Sequence, residues 1–206
     1  MYVRKLLLAA ATAAVFSAPA SAAQGDWQIR VRALGVLPDA SGTVTVGGVP
    51  LPGKVSATNS VVPEVDVTYF FTEHWGAELI AATRRPSVHQ TTAGDIGSVR
   101  MLPPTLTVQY HFMPDANIRP YIGAGINYTF FFDARSPLPD IHYKNNVGWA
   151  LQAGVDVPIG DSGYFLNADV KKLFLSTDVK ALGGLVRAND VDLDPWMVGV
   201  GVGYRF

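Results

Sequence analysis

The sequence of 206 residues predicts an all-β protein: an eight-stranded antiparallel transmembrane β-barrel with short periplasmic turns and long extracellular loops. Three observations lead to this fold class. The C-terminal segment alternates strictly between two kinds of residue, seven further segments of similar length alternate in the same way, and the connections between them are short and long in turn. Apolar stretches after the N-terminal region are broken by charge, proline or glycine, so a chain that crosses a membrane must do so with a closed sheet.

The C-terminal segment 196–206 shows the alternation most clearly. Every second residue from Trp196 is apolar or aromatic, whereas the positions between hold Met197, three glycines and Arg205. Strand side chains point alternately to opposite faces, so one face is wholly apolar and the other is small or charged. This is typical of a strand with lipid outside and a crowded polar interior, and the strand ends on the aromatic Phe206. We expect the outer-membrane barrel assembly machinery to recognise it.

The N-terminal residues are typical of a secretory signal peptide. Arg4 and Lys5 precede an apolar run at 6–16, and small residues follow at 19–23. A run of about eleven residues is too short to span a bilayer of about 30 Å. We therefore predict a signal peptide over residues 1–22, cleaved after Ala22 or Ala23, and one outer-membrane β-barrel domain over residues 23–206.

Composition excludes several classes of protein. With 49% hydrophobic residues the chain is too apolar to be disordered, and the absence of cysteine excludes disulfides, thiolate metal sites and cysteine nucleophiles. Without Arg4 and Lys5 the chain has 14 basic and 17 acidic residues, which does not suit a nucleic-acid partner. We expect no cofactor and no metal.

Eight alternating segments are each close to the length that a tilted membrane strand needs. The connections between them alternate between short and long, which places both termini in the periplasm of the cell outer membrane. The segments are 27–37, 62–71, 75–84, 102–112, 120–132, 147–159, 164–175 and 195–206.

Outward positions such as Ile29, Val65 and Val198 carry no charge, whereas the alternate positions carry eight charged residues. A basic residue that faces lipid at mid-depth costs about 2–4 kcal/mol, so the charged face must point inward. Four basic and four acidic side chains can neutralise one another there, and we predict that they form an ion-paired lumen plug. Its predicted members are Arg30, Arg32, Asp66, Glu78, Asp156, Asp169, Lys171 and Arg205.

Inward positions near the outer rim are mainly apolar, and polar residues follow below them. A barrel of eight strands is narrow enough for side chains to fill it, so the polar lower half should be closed to water. A small hydrophobic solute can enter the upper part but meets a barrier at the plug. The predicted transport path is Leu34, Ala82, Phe131, Leu173 and Met197.

A sideways exit is the second part of this hypothesis. Pro63, Pro103 and Pro104 lie at the outer ends of descending strands, where proline cannot donate a hydrogen bond to the next strand. We predict that these prolines mark a lateral opening into the membrane. The alternative is that they only mark where strands begin.

Six short motifs are spread over the mature chain. They are Trp27-x-Ile29-Arg30-x-Arg32, Leu102-Pro103-Pro104-Thr105-Leu106, Gln109-Tyr110-His111-Phe112, Arg119-Pro120-Tyr121-Ile122-Gly123-Ala124-Gly125-Ile126-Asn127-Tyr128-Thr129, Asn167-Ala168-Asp169 and Gly203-Tyr204-Arg205-Phe206. With these motifs the chain resembles the OmpW family of outer-membrane proteins. The resemblance implies an eight-stranded barrel with a narrow hydrophobic channel for small apolar molecules. Arg84 and Arg85, before His89, depart from the family pattern, so the resemblance implies no particular solute.

The predicted partners are the lipid bilayer, lipopolysaccharide and small hydrophobic solutes. Arg84, Arg85 and Lys172 are positioned near the outer boundary, where lipopolysaccharide phosphates lie, although loop charge in contact with water explains them equally well. A near-neutral stretch at 43–49 with two glycines predicts a hairpin that lengthens the wall.

Passive uptake of small hydrophobic molecules is the function that these features favour. A structural or adhesion-type barrel with a closed lumen and no transport is the alternative. A soluble lipocalin-type barrel would need the opposite polarity. An enzyme is not expected, because His89 and His142 in the outer loops share no spacing signature with nearby serine or acidic residues.

Overall fold

The computed structural model describes residues 23–53, 55–82, 87–90, 94–135 and 140–206. The predicted signal peptide and the residues Arg84 and Arg85 lie outside this part of the chain, as does the side chain of His89. Within the described ranges, no helix is long and apolar enough to cross a membrane.

The described residues form sixteen strands and one short 3-10 turn at Leu182–Gly184. In chain order the strands are β1 (Trp27–Leu37), β2 (Ser41–Val46), β3 (Val49–Pro50), β4 (Val55–Ala57), β5 (Ser60–Phe70), β6 (Trp75–Ala82), β7 (Ser87–Gln90), β8 (Gly94–Leu102), β9 (Thr105–His111), β10 (Arg119–Arg135), β11 (His142–Tyr143), β12 (Asn146–Pro158), β13 (Tyr164–Phe174), β14 (Ser176–Ala181), β15 (Val186–Asp192) and β16 (Trp196–Arg205).

Eight of these strands close into a barrel. Each of β1, β5, β6, β9, β10, β12, β13 and β16 pairs antiparallel with the next, and β16 pairs with β1 from Gln28↔Arg205 to Leu37↔Trp196. The predicted fold class is therefore confirmed, and the eight predicted segments agree with these strands to within a few residues. The largest differences are that β9 begins at Thr105, after two prolines, and that β10 extends to Arg135.

Side chains alternate between the two surfaces of the wall. In β1, Gln28, Arg30 and Arg32 are buried inside, whereas Ile29 and Val31 are exposed on the outer face. The outer face carries an apolar belt with aromatic rings near both of its edges. Trp27–Tyr69 and Tyr164–Tyr204 lie at the short-turn end, with ring centroids 5.0 and 4.7 Å apart, and Tyr128–Phe130 lies at the long-loop end.

The long-loop end continues beyond the barrel as a second sheet of five strands, in the order β11, β14, β15, β2 and β3. The β2–β3 hairpin is the predicted extension, and its turn uses Gly47 and Gly48 at φ +58° and +84°, which favours glycine. A small core of Val44, Ala188 and Val191 holds the sheet together. On the opposite side, β8 continues the wall beside β10 and pairs with β7, which pairs with β4.

Candidate functional site: the barrel interior

Two arginines of β1 are the centre of a charged interior. The register pairs Arg30 with Asp66 and Arg32 with Glu64 on β5, so opposite charges face each other across one ladder on the inner face. Arg30 Nε lies 2.8 Å from Asp66 Oδ1, and Arg32 Nη2 lies 2.7 Å from Glu64 Oε1. Each of these four buried charges thus has a partner of opposite charge, which burial requires.

Neighbouring strands join these pairs into one charged network, which consists of Arg30, Arg32, Glu64, Asp66, Glu78, Asp156, Asp169 and Lys171. Glu78 of β6 contacts both arginines. Lys171 Nζ lies 3.0 Å from Glu64 Oε1 and 2.8 Å from Asp169 Oδ1. Removal of one member leaves its partners as uncompensated buried charges, so the network is mutually dependent.

Neutral polar side chains bind the remaining carboxylate oxygens. Asn167 donates to Asp156 Oδ1 at 2.7 Å, while Gln152 and Tyr121 each donate to Asp169 Oδ2 at 2.8 Å. Thr107 and Gln109 have no exposed surface at this level, nor do Arg30 and Glu78. Side chains thus fill the barrel at the height of the charged network, as expected for eight strands.

Two members of the predicted lumen plug differ from the expected arrangement. Arg205 forms no ion pair within the described part of the chain. It donates to Gln28 Oε1 at 2.6 Å and lies 4.4 Å from the centroid of the Phe70 ring. Asp156 is held mainly by amides, with Arg30 Nη1 3.8 Å away. Glu64, which the sequence analysis missed, is fully part of the network; its position two residues before Asp66 on the same face was the available signal.

An apolar layer of Leu34, Val36, Ala150, Leu173 and Met197 lies directly on the charged network. Leu34 follows Arg32 on the inner face of β1, and Met197 faces Lys171 across the β13–β16 ladder. Leu34 and Leu173 are only 1% and 2% exposed, so this layer is packed and leaves no water-sized space beside them.

Two predicted transport-path residues lie elsewhere along the inner wall. Ala82 is at the end of β6, and Phe131 is on β10, where it faces Met101 and its ring centroid lies 5.8 Å from that of Tyr143. The predicted path therefore divides into the packed apolar layer on one side and Ala82 with Phe131 on the other. Buried Ile80 and Met101 keep this second side apolar.

The wall between β6 and β9 loses its pairing next to Ala82. The ladder ends at Ile80↔Thr105, and among the described residues no pairing joins Ala81 or Ala82 to the two prolines that precede β9. We call this stretch, formed by Ala81, Ala82, Pro103 and Pro104, the seam. On the β10 side of the prolines the hydrogen bonding between strands continues, because the Tyr128 N–H donates to the Pro104 carbonyl oxygen at 3.1 Å.

Pro63 does not open the wall in the same way. The β1–β5 ladder runs through Ala33↔Pro63 and continues to Val36↔Ser60. The prediction that all three prolines lie at an unpaired wall is therefore wrong for the β1 side of Pro63. A single proline can lie within a ladder when its nitrogen faces away from the partner strand.

The sequence and the fold of the chain can be compared with those of known proteins. The OmpW family model matches residues 23–206. The chain belongs to the OmpW family. This confirms the family resemblance of the sequence and makes the barrel an outer-membrane barrel.

Relatives with similar sequences carry outer-membrane and operon names. Outer-membrane protein y4mB of Sinorhizobium fredii is 43% identical over 90% of this chain and 82% of its own length. Outer membrane protein W of Escherichia coli is 36% identical over 88% of this chain and 89% of its own. The dibenzothiophene metabolism operon protein PahQ of Pseudomonas aeruginosa is 30% identical over 92% and 93%.

Two solved structures of outer-membrane proteins share the architecture. OprG from Pseudomonas aeruginosa has a TM-score of 0.83 at 28% identity and covers 92% of this chain and 99% of its own. AlkL, solved in lipid bilayers, has a TM-score of 0.72 at 27% identity and covers 89% and 91%. The barrel fold is thus shared with these two outer-membrane proteins.

Only one of the two loop histidines, His142, has a described side chain. His142 is exposed on β11 and lies opposite Lys180. Within the described ranges, no group of three or more His, Asp or Glu side chains is arranged to hold a metal ion.

Proposed function

We propose that this OmpW-family barrel is a channel for passive uptake of small hydrophobic molecules. The solute enters from the long-loop end, moves past the apolar layer and leaves laterally through the seam into the membrane. The observation that carries this proposal is the order of the interior: the apolar layer rests on the charged network on the side of β1, β12, β13 and β16, and the seam lies across the interior, beyond Ile80↔Thr105 between β6 and β9.

Energetics favour a sideways path over a straight one. A straight path separates buried ion pairs, and breaking one such pair costs about 3–5 kcal/mol. A lateral path exposes the solute to apolar side chains and then to lipid, so no apolar surface returns to water. The charged network therefore acts as the floor of the path.

Passage needs movement of the apolar layer, because its side chains are packed. Met197 is the suitable mobile member: its unbranched side chain has three rotatable bonds, and it is the most exposed residue of the layer, at 8%. We assign Leu34, Leu173 and Met197 to the gate of the path, and Ala82 and Phe131 to the wall that leads to the seam.

The seam supports the exit step because its two prolines cannot donate hydrogen bonds across it. Ala81 and Ala82 on the β6 side are small, so little side-chain bulk closes the wall there. Pro63 has no part in this exit on its β1 side, and the lateral opening is assigned to Pro103 and Pro104.

The solute class follows from the apolar lining and is supported by one relative. PahQ is named for an operon of dibenzothiophene metabolism, and dibenzothiophene is an apolar aromatic compound. We propose solutes of this kind, small and without charge, for the present chain.

The same proposal sets the orientation and the partners. Residues 1–22 direct export, the short turns and both termini face the periplasm, and the long loops face outward. The apolar belt contacts the bilayer, Lys172 meets lipopolysaccharide phosphates, and the C-terminal strand is recognised by the barrel assembly machinery. No enzymatic step is part of this function.

Accumulation of a panel of alkanes, aromatics and polar controls, in cells with and without the protein, tests the proposal. We expect faster uptake of apolar compounds only when the protein is present. Equal uptake across the panel would favour a structural or adhesion-type barrel, a second candidate to which the close packing of the apolar layer lends support.

A further inference from the structure

A row of basic side chains crosses the outward face of the five-stranded sheet. The register places His142 opposite Lys180, Lys180 opposite Arg187, and Arg187 opposite Thr45, on four adjacent strands. Val179, Ala188 and Val44 form the neighbouring row, which turns inward to the small core. His142, Lys180 and Arg187 are all exposed, and we call them the basic row.

In the described part of the chain, no ion pair involves His142, Lys180 or Arg187. Like charges directly opposite in a sheet destabilise it, yet Lys180 and Arg187 are such a pair. Among the described residues Lys180 forms no ion pair, and the nearby Asp178 is paired with Lys144 at 3.5 Å. Arg187 Nε donates to the Gly184 carbonyl oxygen at 2.8 Å, which holds the guanidinium in place. An external anion that bridges the row would relieve the repulsion.

The basic row faces sideways, toward the neighbours of the barrel in the membrane. Lys172, Phe174 and Lys180 share the outward face as β13 leads into β14, and Lys172 Nζ lies 5.2 Å from the Trp196 ring centroid. Phe174 belongs to the outer aromatic level, and Lys180 is six residues further on, about 20 Å along an extended chain. The row thus stands just above the headgroups, not over the barrel opening.

From this position we infer that the basic row binds the phosphate and carboxylate groups of the lipopolysaccharide inner core. The inference rests on the proposed orientation, with the long loops outward. It adds a site of His142, Lys180 and Arg187 to the contact proposed for Lys172, at a greater height and for a different part of the same lipid. Two or more anionic groups on one core can bridge the opposed cations Lys180 and Arg187. Phospholipid headgroups carry a single anionic group and lie below the row, so they cannot reach it.

The test uses the full barrel in phosphatidylcholine nanodiscs that contain lipopolysaccharide with a phosphorylated inner core. Native mass spectrometry counts the lipopolysaccharide retained by each barrel. We expect the Lys180→Gln/Arg187→Gln variant to bind about thirtyfold more weakly, because each basic residue near an anionic surface contributes about a fivefold effect. The matched control, Arg100→Gln, removes an exposed basic residue whose acidic partner Asp133 keeps Arg135 as a second partner, and it should bind as the wild type does.

Further arms separate the possible sources of the anion. With lipid A that lacks the core, wild type and double variant should bind equally, and the charge-conserving Lys180→Arg/Arg187→Lys variant should retain binding to the inner-core form. Unchanged inner-core binding by the glutamine variant would overturn the inference. The inference would also be overturned if the glutamine variant lost binding to a free sulfated polysaccharide but bound lipopolysaccharide as the wild type does.

Folding and transport are measured beside binding. Heat-modifiable gel mobility reports the folded barrel, and single Lys180→Gln and Arg187→Gln variants replace the double variant if it fails to fold, each with about a fivefold expected loss. Uptake of apolar compounds should be unchanged in these variants. Loss of lipopolysaccharide binding with normal uptake supports the basic row, whereas absent uptake in wild type contradicts the proposed channel and leaves this binding result standing.

Discussion

Arg32 and Glu64 face each other across the β1–β5 ladder, with 2.7 Å between Arg32 Nη2 and Glu64 Oε1. The Glu64 carboxylate also lies 3.0 Å from Lys171 Nζ. Leu34 of the apolar layer follows Arg32 on the inner face of β1. Met197 of the same layer lies opposite Lys171 in the β13–β16 ladder. Glu64 is therefore the acid that neutralises the upper edge of the charged network, where the interior changes from polar to apolar.

The variant Glu64→Gln should destabilise the barrel by about 3–5 kcal/mol, because Arg32 and Lys171 lose a shared buried partner. Urea unfolding in lipid vesicles, followed by tryptophan fluorescence, measures this loss. Glu73→Gln is the control, since Glu73 lies on an exposed turn, and its effect should be within about 0.5 kcal/mol. Equal stability of the two variants would mean that Glu64 does not hold the network.

The wall of the barrel could be predicted from residue alternation, and β1 shows why. Its period of two separates Arg30 and Arg32 from Ile29 and Val31, and the cost of charge in lipid then decides which face is inside. The family and the fold class follow from the same residues. The ion pairs inside the barrel cannot be predicted from alternation. The sequence shows which charged residues face inward, but only the register between strands shows which of them are in contact.

Arg205 and Glu64 illustrate this limit. The register places Arg205 opposite Gln28, so it binds an amide where an acid was expected. Glu64 adjoins Pro63 at the predicted start of a strand, and its role depends on Arg32 from another strand. The strands β14 and β15 lie in the long connection between the predicted segments 164–175 and 195–206. They pair with each other, and β15 pairs with the distant β2, so contacts outside the local sequence form them.

Met197→Ala should speed the uptake of small apolar compounds, because it removes the flexible side chain that fills the apolar layer. The cavity should also lower the free energy of unfolding by about 2–5 kcal/mol. Val198→Ala, one position away on the exposed outer face, is the matched control and should leave uptake unchanged. If Met197→Ala slows or does not change uptake in cells with equal amounts of folded protein, the apolar layer is not the gate.

Gly201→Ala should prevent stable closure between β16 and β1. A Cβ at Gly201 would lie 2.1 Å from the Val31 carbonyl oxygen and 2.7 Å from Arg32 Cα, both of which are backbone atoms that cannot rotate away. We expect a loss of about 3 kcal/mol or failure to fold, seen as loss of heat-modifiable gel mobility. Gly35→Ala meets only the Val198 carbonyl oxygen, at 3.6 Å, and should fold normally. Normal folding of both variants would show that the strands separate easily here.

A reversible crosslink across the seam tests the lateral exit directly. The chain has no cysteine, so Ala81→Cys/Pro104→Cys introduces a single pair of thiols at the first position beyond Ile80↔Thr105. A short crosslinker with two methanethiosulfonate groups forms a disulfide with each cysteine as sulfinate leaves, and it tolerates a wider gap than a direct disulfide. The crosslink should slow the uptake of apolar compounds, and reduction should restore it. Because the linker leaves the interior unchanged, this result would assign the exit to the wall.

The matched control for the seam is Ala33→Cys/Val200→Cys, a directly opposed pair on the outer face of the intact β1–β16 ladder. Its crosslink should not change uptake, because this wall is already held by continuous pairing. Slower uptake in the control as well would indicate general stiffening of the barrel. Full uptake with the seam closed would show that solute leaves by another route, and the charged network would then be the first place to look, because only its opening offers a path along the barrel axis.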